Sequence, residues 1–122
     1  MLNILVRNLT RGITLADRVI VAATSAERRK GLLGRNSLDR CEGLWIAPCE
    51  AVHTIGMRFP IDILFLSRDT KVLKIRHAMP SWRLAGCLRA HSVLELPAGT
   101  AEATQTQPGD RLEITEINQI IL

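Results

Sequence analysis

Tyrosine is absent from this sequence of 122 residues, and with two Trp and two Phe the aromatic share is only 3%. Proteins that bind single-stranded nucleic acid stack bases on aromatic side chains, so this composition argues against a nucleic-acid partner. No run approaches the roughly 20 apolar residues of a membrane-spanning helix. The opening MLNILVRNLTRG lacks the long apolar core and small-residue cleavage site of a signal peptide. The expectation is therefore a cytoplasmic protein with no membrane partner. Three cysteines, Cys41, Cys49 and Cys87, form no CxxC pattern. An odd set of this kind in a cytosolic chain is expected to be reduced and structural, and a Cys41–Cys49 disulfide would be unusual there.

Acidic side chains are in the minority: 16 Lys and Arg stand against 12 Asp and Glu, giving a net charge of +4. The cations are scattered from Arg7 to Arg111, with clusters only at Glu27-Arg28-Arg29-Lys30 and from Lys71 to Arg76. They read as a solvated face rather than a phosphate-binding stripe. The apolar residues make up 47% of the chain. A chain of this length suits one domain, residues 1–122, that buries roughly two thirds of its unfolded surface.

The chemically able side chains concentrate between Cys41 and Ser67. Within this stretch Pro60-Ile61-Asp62-Ile63-Leu64-Phe65-Leu66 is an apolar run opened by proline, the pattern of a central strand covered on both faces. Asp62 inside it needs a partner, because an uncompensated buried carboxylate costs several kcal/mol. His53 and Arg58 are the nearest candidates. Ala51 to Ile55 reads as a short strand broken by Gly56, leading into the loop Gly56-Met57-Arg58-Phe59.

Around this centre, Leu2 to Arg7 and Ile13 to Val21 read as a hairpin with Thr10-Arg11-Gly12 in its turn. Thr24-Ser25-Ala26-Glu27 is a capping box, and predicts a helix that runs through Leu33 and stops at Gly34. Gly31 within it suggests the close approach of another backbone. Ser67-Arg68-Asp69-Thr70 joins the central strand to Lys71–Arg76 as a second hairpin, without an Asn-Gly or Asp-Gly turn. The segment from His77 to Ala90 has no clean period and reads as a long surface excursion. Ser92 to Leu96 is a further strand, Thr100 to Gln105 one helical turn, and Pro108-Gly109-Asp110 a turn before a last strand from Arg111 to Ile117. The expected fold is mainly β (α+β): a curved antiparallel sheet or partly open small barrel with one short capped helix near residues 24–34.

The motifs Glu27-Arg28-x-x-Gly31-Leu32-Leu33-Gly34-Arg35, His53-Thr54-x-Gly56-Met57-x-Phe59-Pro60-Ile61-Asp62-x-Leu64-Phe65-Leu66, Leu94-Glu95-Leu96-Pro97-Ala98-Gly99 and Pro108-Gly109-Asp110 together resemble domain-of-unknown-function family 192. These are small prokaryotic proteins. The resemblance runs from Val19 to Ile114 and implies a single domain; it imports no reaction and no catalytic residues. Where similar members carry an Asp and a Gly in the turn after the central strand, this chain has Ser67 and Thr70.

Three chemistries are open to the central stretch. Cys49, His53 and Met57 recur every four residues, a soft ligand set for Cu(I) if they shared a helical face. Pro48, Val52, Ile55 and Gly56 argue against that helix, so no metal and no cofactor are expected. His53 and Asp62 could pair as an oriented general base, which makes a small enzyme the alternative. The preferred expectation is a binding or accessory domain, recognising a small ligand or peptide in a groove organised by His53, Met57, Arg58, Asp62 and Trp82. A further alternative is an interaction module that meets an acidic partner through its arginines. Alternation turns Glu95 toward water while Leu94 and Leu96 face inward, and places Trp45 in the core.

Overall fold

The structure is a computed structural model that describes residues 2–117. The elements run β1 (Asn3–Asn8), β2 (Ile13–Ala22), α1 (Ser25–Lys30), β3 (Glu42–Ile46), β4 (Ala51–His53), β5 (Ile61–Leu66), β6 (Val72–Met79), β7 (Leu84–Gly86), β8 (Ser92–Pro97), α2 (Thr100–Ala103) and β9 (Leu112–Glu116). Seven strands form one sheet in the order β6-β5-β8-β3-β2-β1-β9, and β4 with β7 forms a separate ribbon. Every pairing is antiparallel except β2 with β3. Those two are parallel because α1 and the segment after it intervene as a crossover, which a hairpin cannot provide.

The sheet curls until its outer strands meet at one end. Val72 donates its amide to Asp110 O at 2.8 Å, Gly109 donates to Val72 O at 2.7 Å, and Leu112 donates to Thr70 O at 3.0 Å. The result is a curled half-barrel, as expected, with the single small domain built around β5. All six residues of β5 are buried, which is what an apolar run between β6 and β8 requires. Alternation divides its side chains between two cores. Leu64 and Leu66 join Val6, Val19, Leu94 and Leu96 inside the curl. Ile61, Ile63 and Phe65 join Leu44, Ile46 and Val93 on the outer face. That outer face is sealed by Leu32 and Leu38 from the crossover after α1, Met57 from the loop after β4, and Ala85 from β7. Trp45 falls on the inner side, half-buried against the first core, while its neighbours Leu44 and Ile46 point the other way.

Several local expectations need correction. The helix α1 has its capping box, with Thr24 Oγ1 accepting from Glu27 N at 3.1 Å and Glu27 Oε1 accepting from Thr24 N at 3.0 Å. It ends at Lys30 and not at Gly34, because Gly31 takes φ +50 and turns the chain so that Leu32 enters the outer core. Gly31 is there for this conformation, since a Cβ on it would meet nothing nearer than 3.9 Å. The His77–Ala90 segment is not wholly irregular: β6 continues to Met79, and Leu84–Gly86 pairs with Ala51–His53. Its period was hidden by a register shift between Ile61 and Ile63 in the β5–β6 pairing and by Ala78 at φ +45. Thr70 adopts φ +61 in the turn, and its hydroxyl donates to Leu112 O at 2.7 Å across the barrel closure.

Candidate functional site

Asp62 is fully buried, but neither His53 nor Arg58 holds it. Its Oδ1 accepts the amides of Ala78 at 2.8 Å and Gly99 at 3.2 Å, and its Oδ2 accepts the amide of Ala101 at 2.8 Å. The bulge in β6 turns the Ala78 amide inward, and the first turn of α2 supplies the other two donors. Backbone amides are suitable partners for a buried carboxylate because they neutralise it without bringing in a second charge that must also be desolvated. Asp62 is therefore a fastener between β5, β6 and α2. Arg58 is exposed and donates to Asn36 Oδ1 at 2.6 Å. His53 Nδ1 accepts from Ile55 N at 3.2 Å, so the His53–Asp62 pair on which an enzyme would depend is not formed. Trp82 is 67% exposed and lies outside the cavity described next.

His53 and Met57 do converge. They line a cavity of about 650 Å³ that also takes in Ser25, Arg28, Arg29, Leu32, Val52 and Glu95. Its floor is the outer face of the sheet, where Ile46 and Glu95 are buried; Leu32 and Met57 are buried against it, and Ser25, Arg29 and His53 are exposed at the mouth. Four of the lining residues, Ser25, Arg28, Arg29 and Leu32, are spaced i, i+3, i+4 and i+7, one face of α1 and its exit. Cys49, His53 and Met57 share no helical face, since Ala51–His53 is a strand. The Cys49 thiol donates to Ala51 O at 3.2 Å, and burial pushes its pKa up. All three cysteines are free.

Glu95 departs most from expectation. Alternation does turn it away from Leu94 and Leu96, but the face it turns to is covered by α1 and β4 rather than by water. It is 5% exposed. Burial raises its pKa from an ordinary 4.5 to about 7. No donor among the described residues bonds its carboxyl. The signal was available, because an acid in the apolar run Val93-Leu94-Glu95-Leu96 repeats the pattern that singled out Asp62. The two sit on neighbouring strands, Ile63 opposite Glu95 and Asp62 opposite Leu96, and so on opposite faces.

A curled half-barrel carrying a cavity beside α1, with a buried carboxyl on its floor that no described residue bonds, is the class of protein that fold and site define. The sequence profile of domain-of-unknown-function family 192, described as an uncharacterized ACR, matches residues 7–114. This chain belongs to that family. It is 32% identical over 112 residues to the UPF0127 protein PF1050 of Pyrococcus furiosus, covering 87% of this chain and 94% of that one. A crystal structure of a protein of unknown function from Novosphingobium aromaticivorans superposes with a TM-score of 0.79 at 28% identity, covering 90% of this chain and 82% of that one. Among the described residues no helix is long and apolar enough to cross a membrane.

Proposed function

We propose that this protein is a small-ligand binding or accessory domain whose ligand enters the cavity between α1 and the His53–Phe59 loop. The observation that carries the reading is the combination, in one cavity, of apolar walls with a buried carboxyl that no described residue bonds. A volume of about 650 Å³ falls within the usual range for small-molecule sites. Such sites pair apolar walls with a few convergent polar groups, and here Glu95, Arg28, Arg29 and His53 are those groups. The test is a methyl NMR screen with a panel of small amphipathic compounds. The expected result is that active compounds move the Met57 and Leu32 methyl signals. A panel whose members bind only elsewhere, or not at all, overturns the reading.

A second reading, an interaction module for an acidic partner, has its own support. From Lys71 to Leu94 the chain holds Lys71, Lys74, Arg76, Arg83 and Arg89 and no Asp or Glu. The same stretch exposes Trp82, Leu84 and Leu88. Binding of an acidic protein through this stretch would weaken steeply with added salt, whereas occupancy of the cavity by a small compound would respond less.

A further inference from the structure

The fold treats its two buried acids differently. Asp62 receives three backbone amides; Glu95, on the adjacent strand and the opposite face, receives no hydrogen bond from any described residue. Arg28, the half-buried cation on the cavity wall, is already occupied: its guanidinium donates to Ala23 O and, at 3.3 Å, to Ser25 Oγ. An ionised carboxylate is acceptor-only and demands donors or a counter-charge when water is excluded. The apolar walls from Leu32, Ile46, Val52 and Met57 offer neither. What answers Glu95 therefore comes from whatever occupies the cavity, solvent or a ligand, and a ligand that carries its own donor competes best for it. A simple amine would suit Glu95, yet it would pass Arg28 and Arg29 on the way in and be repelled by both. A molecule with an acid at its other end resolves this conflict, because that acid meets the guanidinium of Arg29 at the mouth.

We propose that Glu95 is the recognition residue for the ammonium group of an elongated amphipathic zwitterion, whose apolar middle lies on Leu32, Val52 and Met57 and whose acidic end meets Arg29. This rests on the cavity being a ligand site, and names the class of ligand it takes. No bond is made or broken in the process. Specificity comes from the buried acid: a neutral or anionic inner end leaves Glu95 unpaired, and an unpaired buried charge is penalised more heavily than a missing apolar contact.

The test uses the full chain and three matched probes, ε-aminocaproate, hexylamine and caproate, followed through the Met57 methyl signal. The expected order is ε-aminocaproate tightest, with caproate at least about tenfold weaker. Glu95→Gln, which keeps the shape and removes the charge, should abolish that preference, while Arg29→Ala should bring ε-aminocaproate down to the level of hexylamine. Because the Glu95 side chain bonds none of the described residues, the Gln variant should stay folded, and the three-probe series on the unaltered protein stands as an independent check. Caproate binding as well as ε-aminocaproate, or an unchanged preference in Glu95→Gln, overturns the ammonium assignment but leaves the cavity a ligand site. If none of the three probes moves the Met57 signal, the ammonium assignment fails, and the broader compound panel then decides the cavity separately.

Discussion

Asp62 Oδ2 accepts the amide of Ala101 at 2.8 Å, so a carboxylate in the middle of the sheet holds the first turn of α2, 39 residues further along the chain. The helix has only four residues, and its N-cap, Gly99, has no side chain with which to cap it. Asp62 performs that role from another strand. Ala101 is itself fully buried in the inner core, so losing the contact would loosen the end of the barrel and not merely one turn. Asp62→Ala should leave three backbone amides without their acceptor, that of Ala101 fully buried, and cost about 3 kcal/mol. Asp62→Asn keeps one accepting oxygen and should cost about half as much. Urea denaturation would rank the two; equal, negligible losses would contradict the fastener role.

Glu95 should oppose stability at neutral and alkaline pH. Its folded pKa lies near 7, above the ordinary 4.5, so between those values the folded state holds a proton that the unfolded chain has released. Stability contributed by this group is therefore greatest below about pH 4.5 and declines as pH rises toward 7 and beyond, by an amount on the order of 3 kcal/mol. Glu95→Gln should raise the urea midpoint at pH 8 and leave it little changed at pH 5, both being about one pH unit or less from the ends of that window.

Asp110 should behave in the opposite sense. Burial works to raise its pKa, but the bonds from Arg11, Asn8 and the Gln107 amide outweigh it and hold the carboxyl below the ordinary 3.8. The stability it contributes is present above its unfolded pKa and is lost as pH falls through the lower folded value. Asp110→Asn should weaken the barrel closure by about 2 kcal/mol at neutral pH and flatten the acid limb of the stability curve, measured by urea midpoints across acidic pH.

Gly43 is required by packing. A Cβ on it would lie 2.9 Å from the Glu95 carbonyl oxygen, 2.9 Å from Leu96 Cδ2 and 3.3 Å from Val19 Cγ2. Gly43→Ala should therefore separate β3 from β8 and cost about 2–3 kcal/mol. The same measurement on Gly109→Ala, where nothing lies within 4 Å but φ is +98, should reveal backbone strain alone.

Thr24→Ala removes one half of the capping box of α1 and should cost about 1 kcal/mol. Since α1 forms a wall of the cavity, compound binding at Met57 should weaken in parallel, and a thermal melt together with the methyl screen would read both.

Local patterns carried much of the fold. The apolar run Ile61–Leu66 announced a strand covered on both faces, Thr24 and Glu27 announced the start of α1, and Pro108-Gly109-Asp110 announced the turn before β9, because each depends on neighbours within a few residues. Where α1 stops was less legible, since Gly31 and Gly34 both adopt positive φ and only packing of Leu32 selects the first. The ribbon strand β7 was missed because three residues are too few to display a period, and because its partner lies some thirty residues earlier in the chain.

The candidate site was half legible for the same reason. Two acids in apolar strands, Asp62 and Glu95, were plain from the order of residues alone, and so was the need of Asp62 for a partner, whereas alternation turned Glu95 toward water and hid that it is buried. Which acid would find that answer inside the protein depended on the long-range placement of Ala78, Gly99 and Ala101 against one face of the sheet, and of α1 and Met57 over the other. Sequence determined most of the strands, the helix start and the presence of Asp62 in the core, because those follow from side-chain chemistry and short-range spacing. Only the tertiary structure decided that position 62 is sated by backbone amides while position 95 looks into a hollow, because donors separated by tens of residues meet only when the sheet curls.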